Sequence, residues 1–334
     1  MSFYPFPVID SKEQEKKQEI KSIRKAGNLT GVTFFMLTSV MVLWSIPVST
    51  VIMLISDNPD RIMGYLSDTT IMQIIQIVVS SIAFIFPFLL YLRFMKARLS
   101  EVGSFSKANN KKLIFPLVLV GLGVCGFSNF VTSAAGMVFQ KFGFSYSVTA
   151  SELPTNPFGI ILAFVATAVT PALVEEFAMR GVLLGVLRKY GDGFAVIVSS
   201  VIFGLMHGNL VQIPFAFFLG LFFGYAVIKT GTIWTAVIIH FINNLISITF
   251  DYLLGGVSNT TAWVVNLFYL ILLIGIGFVG FFLLQNAGGD HFKLNNDTGV
   301  LTMPEKLKKF LTAPCMIITY VIVLLESFFV YAAK

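Results

Sequence analysis

The chain has 334 residues, of which 56% are hydrophobic and only 12% charged, and its mean hydropathy is +0.84. Soluble domains carry about 25% charged residues, so this composition excludes an ordinary soluble domain and points to a polytopic membrane protein. The net charge of +6 would suit nucleic acid only if the positive residues shared one groove, and their placement gives them a different role.

Residues 1–28 are polar and of mixed charge, and read as a cytoplasmic tail with some helix. No apolar core precedes a small-residue cleavage site there, so a cleaved signal peptide is not expected. Apolar runs then follow at about 29–56, 70–92, 113–140, 158–187, 194–207, 210–228, 232–250, 262–284 and 314–333. The expectation is an all-α membrane helix bundle with eight or nine transmembrane spans, each near the roughly 20 residues that a bilayer core requires. It divides into the tail, N-terminal spans over 29–157, a core over 158–250, and C-terminal spans with a polar loop over 251–334. Pro171 lacks a backbone donor and is expected to kink or restart the fourth helix. Gly191 and Gly193 predict a tight hairpin between the fourth and fifth runs, and Gly181, Gly185, Gly220 and Gly224 allow close helix approach. Cys125 and Cys315 lie in apolar runs without ligand spacing, which makes them packed or lipid-facing thiols.

With the N-terminus inside, nineteen of the 23 Lys and Arg fall in inner segments. Only Arg61 and Lys141 fall in outer loops, with Arg180 inside a span and Lys334 at the terminus. This asymmetry predicts a cytoplasmic N-terminus and explains the basic charge without nucleic acid. Lysine-rich inner loops and the lack of eukaryotic sorting signals suggest a bacterial plasma membrane.

Residues 171–244 collect the polar groups that the apolar runs ought not to contain: Glu175, Glu176, Arg180, His207, His240 and Asn244. Ionisable groups at membrane depth are costly and usually face a bundle interior or a functional cavity. Glu175 lies thirteen residues before Arg188 and His207 thirteen after Phe194, so in an antiparallel hairpin they meet about 20 Å from the shared turn. His240 and Asn244 lie nine and thirteen residues beyond Gly231, four apart and on one helix face. Glu176 and Arg180 are spaced for a helical ion pair with the acid N-terminal, a supporting role. Glu175 points about 100° away on an ideal helix and is left for other work. A carboxylate in an apolar layer suits a general base that deprotonates water. On the residues alone, a hydrolytic site and an ion-conducting one compete. Asn244, beside Asn243, also suits a simple helix bridge, and Glu326 in the last run is assigned no role.

Glu175-Glu176-x-x-x-Arg180, Phe203-x-x-x-His207 and His240-x-x-x-Asn244 together resemble the three motifs of the CPBP family, which holds type II CAAX prenyl endopeptidases and Abi-type, bacteriocin-processing homologues. The resemblance covers about residues 158–250. It implies an intramembrane endopeptidase acting on a membrane-anchored or hydrophobic peptide or protein within the lipid bilayer. By motif, Glu175 would activate water, His207 would orient it or share its proton, and His240 and Asn244 would stabilise the oxyanion. Glu176 and Arg180 would brace the site, Arg180 near a substrate carboxylate. No cofactor is favoured; zinc is the alternative, with Glu175, His207 and His240 as a His₂Glu set, although H-E-x-x-H spacing is absent. The competing functions are a non-catalytic scaffold or immunity protein of the same fold and a proton-coupled transporter.

Overall fold

Backbone polar groups in a bilayer must be bonded within their own segment, which leaves helices as the solution for apolar runs of this length. The computed structural model describes residues 11–55, 64–65, 67–141, 152–287, 293–296 and 298–332, and every regular element among them is helical. The longer helices are α1 (Ser11–Leu43), α2 (Ser45–Ile55), α3 (Thr69–Met95), α4 (Ile114–Lys141), α5 (Pro157–Tyr190), α6 (Asp192–Leu205), α7 (Gln212–Thr230), α8 (Trp234–Leu254), α9 (Asn259–Asn286), α10 (Met303–Leu311) and α11 (Pro314–Ala332). Among the described residues 7 helices are long and apolar enough to cross a membrane, or up to 8 if α10 and α11, bent by 66°, form one span. Eight is thus reached only with the bent pair. The fifth apolar run makes α6 of 14 residues, about 21 Å long and short of the roughly 30 Å hydrocarbon core.

Two boundaries differ from expectation. Helix starts at Ser11 and continues into the first span, so the described part of the tail belongs to α1, and the break comes at Trp44. The outer loops expected around 57–68 and 141–157 fall largely outside the described residues, as do residues 1–10.

The five Lys- and Arg-rich segments gather at one end of the bundle. The α5–α6 turn is tight, as its glycines predict: Gly191 has a φ of 117°, and Arg188 Nε bonds Asp192 Oδ1 at 2.8 Å. Over this turn lies the segment before α10. Asn296 Oδ1 accepts from Gly193 N–H (2.7 Å) and Asn295 O from Asp192 N–H (2.7 Å). Glu19 of α1 accepts from the backbone of Val300 and Leu301, and buried Lys306 donates to Tyr190 O. The loop after α3 pairs with the α7–α8 turn through Ile233 N–H to Ser104 O (2.8 Å), and Lys229 Nζ reaches Lys293 O. Turn and loop backbone is thereby satisfied at the membrane boundary, where a free group would be costly.

Close helix approach supplies the remaining order. A β-carbon on Gly220 would fall 2.9 Å from Ser200 Cα, so α7 and α6 meet at backbone distance, as the small residues predict. A second such contact, Gly123 against Gly277, joins α4 to α9. Cys125 is buried and free, and Cys315 is partly buried and free.

Candidate active site

α5 carries both glutamates. Asn156 caps its start by accepting from Gly159 N–H (2.7 Å), with Pro157 at the first position, where a missing donor costs nothing. Pro171 does not restart the helix. Wide π-helical turns at Val165–Val169 and Phe177–Leu184 lie on either side of it, and Thr170 N–H bonds Val165 O. The widened turn absorbs the proline, and the helix runs on to Tyr190.

The adjacent carboxylates have opposite surroundings. Glu176 is fully buried: its Oε1 takes Arg180 Nη1 at 3.0 Å and His240 Nδ1 at 2.9 Å. The ion pair foreseen from the i, i+4 spacing is present. The direct bond from His240 to Glu176 was not foreseen. Arg180, also fully buried, gives its other terminal nitrogen to Gly220 O (3.3 Å). Its guanidinium lies 4.3 Å from the Phe203 ring centre and 5.1 Å from that of Phe223. Cation–π contact offsets part of its desolvation. Thus enclosed, Arg180 faces protein rather than an open substrate path. Glu176 Oε2 and Arg180 Nε are left without hydrogen bonds.

Glu175 keeps 15% of its side chain exposed, and its nearest basic group is His240 Nε2, 4.0 Å from Oε2. His240 therefore stands between the two carboxylates. Its Nδ1–H donates to Glu176, which fixes the ring so that Nε2 faces Glu175.

His207 lies just beyond α6, in a turn closed by Gly208 at φ 66°, rather than on the helix expected to reach it. Its Nδ1 sits 2.8 Å from Phe203 O. A carbonyl only accepts, so Nδ1 carries the proton, and in the neutral form of the ring Nε2 is the basic nitrogen. Phe203 packs edge-on against both imidazoles, with ring centres 5.3 Å from His207 and 6.0 Å from His240. The shared residue of the second motif is thus the spacer between the histidines. Asn209 holds the turn, donating to His207 O and accepting from Gln212 N–H; sequence reasoning passed it over although Asn beside Gly is a turn signal.

Asn244 donates Nδ2–H to Thr167 O (3.1 Å) and accepts from Asn243 Nδ2 (3.1 Å). The α-helical donor for Thr167 O would be the N–H of residue 171, a proline that has none. Asn244 donates to this carbonyl beside the proline, so the third motif ties α8 to α5 where the helix lacks one backbone donor. One of its amide hydrogens remains for other use.

No group of three or more His, Cys, Asp or Glu able to hold a metal ion occurs among the described residues. Glu175, His207 and His240 as placed do not form the His₂Glu set that zinc would need.

The fold and this layer define a class: a polytopic helical membrane protein with a paired glutamate–arginine–histidine cluster inside the bundle and one carboxylate left open. Within it, residues 157–246 match the family model described as "Type II CAAX prenyl endopeptidase Rce1-like", in line with the motif resemblance. A Bacillus subtilis (strain 168) protein described as "Putative membrane peptidase YdiL" is 29% identical over 84 residues, 25% of this chain. The match spans about a third (34%) of that relative's length. No solved structure matches.

Proposed function

We propose that the chain is an intramembrane endopeptidase that hydrolyses a bond in a membrane-associated peptide or protein, with Glu175 as general base. The observation that carries this reading is the contrast between Glu175 and Glu176: Arg180 and His240 engage the second and leave the first open toward His240 Nε2. Glu175 takes a proton from water, and the oxygen attacks the scissile carbonyl. His207 Nε2 accepts the second hydrogen of that water and orients it. His240, in its doubly protonated form with Nδ1–H on Glu176, donates through Nε2–H to the developing oxyanion, joined by the free amide hydrogen of Asn244. Glu175 then returns its proton to the leaving amine. No step uses a metal.

The family description and the membrane peptidase relative support this chemistry, and they favour substrates anchored in the bilayer, prenylated CAAX proteins among them. The gathering of the basic segments at one end supports a cytoplasmic N-terminus. Cleavage by the reconstituted chain in ¹⁸O-enriched water should label the new carboxyl terminus, and Glu175→Gln should abolish it. Full activity in that variant would overturn the proposal in favour of a non-catalytic membrane-binding role.

A further inference from the structure

We infer that a cavity between α1 and α3, outside the glutamate–histidine layer, is a subsite for an extended stretch of the peptide; its occupant is called substrate on the strength of the peptidase reading. The cavity has a volume of about 520 Å³, within the roughly 300–1,000 Å³ of ligand sites. Met41 and Trp44 wall it on one side, where α1 breaks into α2, and Gln73, Gln76 and Ser80 of α3 wall it on the other. Gln73 is only 6% exposed, yet none of these three polar side chains has a hydrogen-bond partner among the described residues. Gln76 is exposed and Ser80 half-buried, and α3 carries this line inside a strongly apolar span, where polar groups gain from a bonded partner.

The spacing of the line identifies its partner. Positions i, i+3 and i+7 share one helix face and extend about 10 Å along the axis. A phospholipid bears its ester carbonyls at one level and would leave the deeper groups unpaired. An extended peptide bears a donor and an acceptor about every 3.3 Å, and each glutamine amide offers both. A peptide opened for hydrolysis has lost its own helical bonds, and in a membrane those groups need new partners.

Register connects the cavity to Glu175. α3 and α5 start side by side, with Asn156 Nδ2 on Thr70 Oγ1 at 2.8 Å. Counting along each helix from that contact places Glu175 about 13 Å below Ser80 and about 24 Å below Gln73. Extended chain covers those distances in about four to seven residues. The subsite would therefore hold peptide residues about four to seven positions from the cleaved bond.

The test uses the full chain carrying Glu175→Gln, with p-benzoylphenylalanine in place of Val79, which lines the cavity, in vesicles of phosphatidylethanolamine and phosphatidylglycerol. The probes are two synthetic apolar peptides of about 20 residues, one interrupted by a central Gly-Pro and one an unbroken Leu/Ala helix. The interrupted peptide should cross-link at least about ten-fold more than the helix. Gln73→Leu with Gln76→Leu should remove that preference, and the single exposed-site change Gln76→Leu should reduce it if the pair does not fold. Adducts with lipid alone, or equal labelling by both peptides, would overturn the inference. Cross-linking with no cleavage of the interrupted peptide once Glu175 is restored would count against the peptidase reading alone.

Discussion

Around Arg180 the polar groups bond largely to one another, whereas Gln73, Gln76 and Ser80 have no hydrogen-bond partner among the described residues. Both regions interrupt an apolar bundle, and the difference separates preorganised machinery from a surface awaiting a partner. Glu176, Arg180 and His240 hold each other at 2.9–3.0 Å with almost no exposure, so their geometry costs nothing further when a peptide arrives. The α3 line makes no such bonds among the described residues and gains only when a partner binds. Glu175 lies between these extremes, held by its helix but open on one side.

The largest effect should come from the open carboxylate. Glu175→Gln preserves shape and removes the base, and should lower the cleavage rate at least about 10²-fold, in keeping with the usual share of general-base catalysis, with little change in thermal unfolding in detergent. Arg180→Met should act in the opposite way. It removes one of the two groups that hold buried Glu176, leaving only His240, and should cost about 3–5 kcal/mol of stability, measured by thermal or denaturant unfolding. Adding Glu176→Gln should restore a large part of that loss. Failure of the double variant to recover would show that the pair is not the closed unit described.

Asn244 allows a finer separation. Asn244→Ala removes the donor to Thr167 O and should cost about 1 kcal/mol. Pro171→Ala supplies a backbone N–H for the same carbonyl, so the double variant should regain stability. If activity stays low while stability returns, Asn244 also serves the oxyanion. If both return together, its role is the helix repair alone. The smallest expected effect is that of metal removal: incubation of the reconstituted chain with a strong zinc chelator should change the cleavage rate by less than about two-fold, and a large loss restored by zinc would contradict a base role for Glu175.

Depth was legible in the sequence because rise per residue is fixed. The i, i+4 rule placed Arg180 on Glu176, and counting residues from the shared turn brought His207 to the layer where the Phe203 ring separates it from His240. Rotation was not legible. His240 bonds Glu176 rather than serving Glu175 alone, since helix packing, not axial count, decides which carboxylate an imidazole meets. The π turns flanking Pro171 shift side chains around α5 in a way that an ideal 100° step cannot anticipate. The link from Asn244 to Thr167 needed a missing donor on one helix and an amide on another, two facts that sequence shows separately. Gln73, Gln76 and Ser80 were passed over in the sequence, and they stand out only because no hydrogen bond to them occurs among the described residues. α6 looked like a span by composition, but its 14 residues make it a half-length partner for α5.

The central claim is that Glu175 makes this chain a peptidase. It is tested most directly by comparing new peptide N-termini in membranes of cells making the natural chain and cells making Glu175→Gln at equal abundance. The account predicts termini that occur only with the natural chain and that lie in or beside membrane-anchored segments. Identical sets of termini would contradict it and would leave the Glu–Arg–His layer as architecture without hydrolysis.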